Sequence, residues 1–358
     1  MYKSIKIDNF RCFEDIKIEP FKQVNLITGL NNAGKTSLLE ALYLLMAPGD
    51  PEKLMVIMGT RLSPGIQIPI EMAKDLAWDN LFYNKAISEI ITISTDNEKN
   101  KTNNLRIFLS KSESSIISKM DEKNKLTLFD VSERTQSNKI KYEFIDFKKN
   151  KSFSSAEFVY GKEPIYERAN IKPTKGVLVS SHHRWEVKDA DRFSNLTIQK
   201  NEEKLVDILK PIEPRLTRLA VITQGGIGII HGDIGKQQLI PLPLMGGGMN
   251  RFLSLTLVLL ENQGGVILID EIDTGLHYEG LVNLWKTVLI LAKEYNVQVF
   301  ATTHSIECIR AAHQVFSETP DYDFTLHRMD INAEGKISSV YINQEALNTA
   351  IEMHMEIR

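Results

Sequence analysis

A chain of 358 residues, 42% hydrophobic and 25% charged, has ample material for one large domain or two smaller ones, which excludes a wholly disordered polypeptide. The net charge of −3 argues neither for nor against an acidic partner, but its distribution is uneven. Residues 99–151 hold 13 Lys or Arg against 7 Asp or Glu, a local net of +6, so the other residues sum to −9.

In chain order, apolar alternation predicts strands over Tyr2 to Ile7, Phe13 to Ile18 and Val24 to Thr28. The third feeds residues 29–36, GLNNAGKT, and the apolar run Ser37 to Met46 reads as the helix that follows. A GxxxxGKT loop between strand and helix aims successive backbone N–H groups and the positive helix end at phosphate oxygens. Gly29 and Gly34 allow the turn and the close approach. Gly29, Asn31, Asn32, Ala33, Gly34, Lys35, Thr36 and Ser37 are therefore candidate nucleotide-binding residues. Lys35 is placed to reach the β- and γ-phosphates of ATP, and Thr36 to ligate Mg²⁺.

A mixed region with Pro48, Pro51, Pro64 and Pro69 comes next, then a helix and a turn near Phe82 to Asn84. Strand-like runs Glu89 to Ser94, Asn104 to Ser110, Lys139 to Phe147 and Ser155 to Tyr160 are separated by polar turns, which predicts an inserted antiparallel sheet. GVLVS, residues 176–180, reads as a strand buried on both faces. A helix over Glu202 to Leu209 and a hairpin over Leu216 to Ile240 follow.

LPLMGGGMNR, residues 242–251, precedes a helix over Phe252 to Leu260; Gly246, Gly247 and Gly248 make a second candidate anion-binding helix start. Residues 264–277, GGVILIDEIDTGLH, form an apolar strand ending in carboxylates, at the end where a parallel sheet presents its ligand site. Asp270 is the candidate Mg²⁺ ligand and Glu271 the base that orients and deprotonates the attacking water. Strand alternation is expected to send the two carboxylates to different sides, and Asp273 adds a third negative charge. A helix over Tyr278 to Glu294 separates this segment from VQVFATTHS, residues 297–305, a second buried strand. His304 then falls on the neighbouring strand end, suited to sensing the γ-phosphate.

Cys12 and Cys308 are far apart, and MYKSIKIDNF carries no charged-then-apolar leader, so the expectation is a reduced, cytoplasmic protein. The most apolar runs are shorter than the roughly 20 residues of a membrane span.

Taken in order, IDNFRCFEDI (7–16), GLNNAGKTSLLEAL (29–42), PLMGGGMNR (243–251), ILIDEIDTGLH (267–277) and ATTHS (301–305) resemble the ABC-type ATPase superfamily, within it the SMC-like and OLD-like AAA ATPases. The fold this implies is α/β, a P-loop NTPase head with a mixed sheet over residues 1–93 and 171–358, interrupted by a basic, β-rich insertion at 94–170. The likeness further implies an ATP-dependent homodimer or higher oligomer. Gly29 to Thr36 of one copy and Gly246 to Gly248 of the other would sandwich each ATP, with Arg11 near the nucleotide and Thr274 to His277 crossing the interface. Met245 stands where such heads commonly carry a serine, which implies a missing hydroxyl contact and slow or conditional hydrolysis. No glutamine lid residue is assignable. OLD-like proteins often carry a TOPRIM nuclease after this point, whereas 53 residues follow Ser305, so a separate effector protein is expected.

Three functions follow as expectations: an ATP-driven switch controlling that effector in anti-phage defence, a RecF- or SMC-like ATPase that binds DNA through the basic insertion, and a scaffold for which ATP is only glue. Glu271, a base that pure glue does not require, argues against the third.

Overall fold

The computed structural model describes residues 1–61, 79–97, 101–110, 118–120, 126–128, 139–157, 164–180 and 187–357. The expected helix before Phe82, the end of the run to Tyr160 and much of the lysine-rich stretch lie outside these. In chain order the strands are β1 (Tyr2–Phe10), β2 (Phe13–Ile18), β3 (Val24–Gly29), β4 (Ile91–Asn97), β5 (Thr102–Leu109), β6 (Ser118–Met120), β7 (Leu126–Leu128), β8 (Lys139–Ile145) and β9 (Lys151–Glu157). They continue with β10 (Ile165–Glu167), β11 (Gly176–Val179), β12 (Arg218–Gln224), β13 (Ile227–Asp233), β14 (Ile240–Pro241), β15 (Val266–Ile269), β16 (Gln298–Thr302), β17 (Phe324–Ile331) and β18 (Ile337–Ile342). The chain divides into two compact units, one of Met1–Ser4, Lys17–Met46 and Thr174–Arg358, the other of Ile5–Ile16 and Ala47–Pro173.

The first unit is built on a six-stranded sheet ordered β11-β15-β16-β3-β17-β18, parallel from β11 to β17 with β18 antiparallel at the edge. Its middle strands VILI, QVFAT and VNLITG are buried at every position, as expected where both faces of a parallel sheet are covered. GVLV does not share that burial: β11 is an edge strand, and of its four residues only Val179 is buried. One polar side chain locks the middle of the sheet. Asn25 is fully buried, donates to the carbonyls of Lys22 and Val299, and accepts from the Lys22 N–H and the Thr325 hydroxyl, so its hydrogen-bonding capacity is met.

Helices cover the sheet. Lys35–Met46 follows the β3 loop directly and is buried along its length except at Thr36. Tyr278–Glu294 and Ile306–Ser317 bring Trp285 and Phe316 edge-on to each other, centroids 6.2 Å apart, with Phe324 of β17 stacked on Phe316 at 5.0 Å. The helix expected from Phe252 runs instead over Gly247–Glu261, so two of the three glycines lie inside its first turn and Gly246 caps it with φ +114. A helix over Val187–Ile198 has no counterpart in the sequence reading; one face of it buries Phe193 and Leu196 together with a paired Asp189 and Arg192, 2.8 Å apart.

The second unit carries a sheet ordered β10-β9-β8-β5-β4-β1-β2, antiparallel from β10 to β4. Its inward residues Ile91, Ile93, Leu105, Ile107, Ile140 and Tyr142 alternate with outward polar ones, the pattern of a sheet with one buried face. Several described cations of the basic stretch are paired: Arg106 and Lys151 both reach Glu143, at 2.5 and 2.7 Å, and Lys139 reaches Glu167 at 3.0 Å.

Candidate functional site

The strand order decides the site. β16 lies between β3 and β15, with Thr302 beside Ile27 and Ala301 beside Ile269, so the phosphate loop, ATTHS and the acidic turn all emerge from the carboxyl ends of three adjacent parallel strands.

In the loop, Gly29 has φ +137 and Gly34 φ +89, conformations that favour glycine, and Asn32 shares the left-handed region at φ +64. Lys35 begins the helix and folds back so that Nζ donates to the carbonyls of Gly29 and Leu30, at 2.9 and 2.8 Å. Burial lowers its ammonium to about 8, and the neighbouring Asp270 and Glu271 carboxylates oppose that shift. Asn31 lies exposed on the loop, while Ala33 and Ser37 are buried. The Thr36 hydroxyl points at the Asp270 carboxylate, 3.1 Å from Oδ2 and 3.3 Å from Oδ1.

Asp270 and Glu271 lie just past β15, and Glu271 has φ +50. The two carboxylates are therefore separated by a left-handed turn, and strand alternation, the expected cause, does not apply. The turn is held by groups that the sequence reading did not single out. Thr302 Oγ1 donates to Asp270 Oδ1 at 2.6 Å and accepts the Glu271 N–H at 2.8 Å, while the Thr302 carbonyl accepts the Ile272 N–H at 3.0 Å. Thr303 repeats the pattern one residue on, donating to Asp273 Oδ1 at 2.6 Å and accepting the Ser305 N–H at 3.0 Å, so Asp273 braces the turn that carries His304. The visible signal was the threonine pair before the histidine; what those hydroxyls touch depends on strand adjacency.

His304 is half-buried. Burial and the positive charge of Lys35 lower its pKa, against the pull of Glu271, Asp273 and Asp270, which keeps the imidazole neutral near pH 7. Lys35, Thr36, Asp270, Glu271 and His304 thus occupy one neighbourhood.

The glycine helix joins it through Arg251. This guanidinium is 5% exposed, and its Nη2 approaches the carbonyls of Asp270 and Glu271 at 3.3 and 3.4 Å. A Cβ on Gly248 would come within 3.0 Å of the Gly275 carbonyl, which explains the small residue there, whereas Gly246 and Gly247 face open space. Met245 packs half-buried against the apolar core. Arg11 belongs to the second unit, where it has φ +56 and donates from Nη1 to the Asn80 carbonyl at 3.1 Å.

Thr36 and Asp270 offer two hard oxygen donors side by side, and among the described residues no cluster of three metal-ligating side chains occurs. A site of that kind suits Mg²⁺, which keeps waters and takes its remaining oxygens from phosphates.

Over residues 24–310 the chain matches the family described as "AAA domain, putative AbiEii toxin, Type IV TA system". A protein of Helicobacter pylori (strain ATCC 700392 / 26695) named "ATP/GTP phosphatase" is 27% identical over 341 residues, 89% of each chain. A stretch of 43 residues, 12% of each chain, is 46% identical to the DNA replication and repair protein RecF of Idiomarina loihiensis. Among solved structures, an Smc head bound to the C-winged helix domain of ScpA matches over 96% of this chain and 98% of that one, with a TM-score of 0.50 at 11% identity, a likeness of fold alone.

Proposed function

This chain belongs to the AAA domain family just described, with the P-loop fold of an SMC-type head, and from that premise we propose that it is a Mg²⁺-dependent ATPase working as an assembly switch. The observation that carries the reading is the meeting of Lys35, Thr36, Asp270, Glu271 and His304 at the carboxyl ends of β3, β16 and β15. Lys35 and the loop N–H groups bind the phosphates. Thr36 and Asp270 would hold Mg²⁺, which when bound neutralises phosphate charge. Glu271 accepts the proton of the attacking water, and neutral His304 donates to, or accepts from, the γ-phosphate region. The name of the Helicobacter pylori relative supports the hydrolytic part.

In this reading two or more copies assemble through ATP held between the phosphate loop of one and Gly246 to Gly248 of another, and the assembled form controls a separate effector, a TOPRIM-type nuclease in anti-phage defence. The open space at Gly246 and Gly247, at a helix start, supports that use. Glu271→Gln is the test: the variant should retain ATP and shift to a larger assembly by mass measurement, while the unaltered protein releases phosphate over many turnovers. A Glu271→Gln protein that neither retains nucleotide nor changes mass rejects the switch.

The RecF stretch and the basic run favour a second reading, a DNA-binding ATPase of repair type. Binding through several phosphates requires log K to fall with log salt by about 0.9 per neutralised phosphate. A flat salt response rejects it.

A further inference from the structure

We propose that Thr302 is a positioning residue for this chemistry: its single hydroxyl orients the Asp270 carboxylate and fixes the backbone of Glu271, so one side chain sets the geometry of both acids. The inference rests on the ATPase reading above.

The hydrogen-bond directions carry it. A threonine hydroxyl has one proton. At Thr302 the Glu271 N–H donates to Oγ1, at 2.8 Å, so the hydroxyl proton is directed to Asp270 Oδ1, at 2.6 Å. That contact occupies the Oδ1 side and leaves Oδ2 as the oxygen nearer the Thr36 hydroxyl, at 3.1 Å. Glu271 adopts φ +50, a conformation disfavoured for a residue with a side chain, and it persists where surrounding bonds over-determine it. Here Thr302 supplies bonds on both flanks, to the Glu271 N–H through the hydroxyl and to the Ile272 N–H through the carbonyl. The clamp is itself anchored, because the next residue, Thr303, donates its N–H to the Ile27 carbonyl, two residues before the phosphate loop. Thr302 is fully buried, so water cannot replace its hydroxyl if it is lost.

Thr302→Ser and Thr302→Ala differ from each other by the hydroxyl alone, and Thr302→Val keeps the shape of the native side chain without it. Two readouts are taken: steady-state phosphate release, and the Mg²⁺ concentration at half-saturation for binding of a fluorescent ATP analogue. Removing a group that orients a metal ligand lowers metal affinity or turnover by about 10- to 100-fold. Thr302→Ser should keep both values close to the native ones. Thr302→Ala and Thr302→Val should raise the Mg²⁺ requirement and lower kcat by that factor, with Mg²⁺-free nucleotide binding unchanged. Ser and Ala variants that behave alike overturn the proposal, and because that pair suffices, a Val variant that fails to fold does not prevent the decision. A native protein that binds nucleotide but releases no phosphate overturns the ATPase reading instead, while the Mg²⁺ titration still reports on Thr302.

Discussion

The Thr36 hydroxyl lies 3.1 Å from Asp270 Oδ2, although 234 residues separate them in the chain. On the proposal that Thr36 and Asp270 ligate Mg²⁺, two oxygen donors held this way would set the metal's position before any phosphate arrives, and the sheet, not the loop, holds the second of them. Asp270→Asn keeps the shape but removes the negative charge and replaces one carboxylate oxygen with an NH₂ group that cannot ligate. The Mg²⁺ concentration for half-maximal phosphate release should rise by about tenfold or more. An unshifted Mg²⁺ titration would show that Asp270 is no ligand.

Lys35 makes the pH dependence specific. Its ammonium is lowered to about 8, chiefly by burial, so in the free protein it begins to lose its proton just above neutrality. An anionic triphosphate favours the charged form and raises the value again. Binding should therefore take up protons at about pH 9, one unit above the lowered value, and take up fewer where the lysine is already charged, near pH 6.5. Affinity should weaken as pH climbs through about 8. Calorimetry in two buffers of different ionisation enthalpy measures this uptake directly. Lys35→Met should abolish both the binding and the uptake.

Gly29 bears on stability as well as on binding. Its φ is +137, and a Cβ there would fall 2.4 Å from the Met329 carbonyl oxygen of β17, inside the parallel pair that β3 forms. Backbone cannot yield as a side-chain tip does, so Gly29→Ala should cost about 2–4 kcal/mol from clash and strain together. Denaturant melts read it in the free protein. An unchanged midpoint would mean that the β3–β17 contact is looser than described.

His304→Ala should spare nucleotide binding and slow turnover by roughly 10² to 10⁴, the range for a group that handles or orients a proton. Because its pKa is lowered, the native imidazole is neutral through pH 7 and protonates only below the ordinary histidine range. Any acid-side loss of rate that belongs to His304 should therefore lie below about pH 6.5 and vanish in His304→Ala. A variant with native kcat would remove His304 from the mechanism.

The sequence made the chemistry legible wherever one short run of residues carries it. GLNNAGKT between a strand and a helix, DE at the end of an apolar run and THS at the end of another are local patterns, each recognisable from residues within a few positions. The helix Tyr278–Glu294 and strand β2 occur with the bounds that periodicity indicates, for the same reason. By contrast, Val187–Ile198 went unread because two of its buried residues, Asp189 and Arg192, are charged and become acceptable inside through ion pairs, with each other and, for Arg192, with Glu261, 69 positions along the chain.

What the chain alone determined, then, was which groups could handle a nucleoside triphosphate: a lysine loop, twin acids and an imidazole. Only the tertiary structure decided that β16 separates β3 from β15, and with it that Thr302 would grip Asp270 and Glu271, that Arg251 would reach back to their carbonyls, and that Glu271 would sit in a left-handed turn. Strand adjacency is fixed by hydrogen bonds and apolar packing between segments hundreds of residues apart, and no window of sequence contains both sides of such a contact.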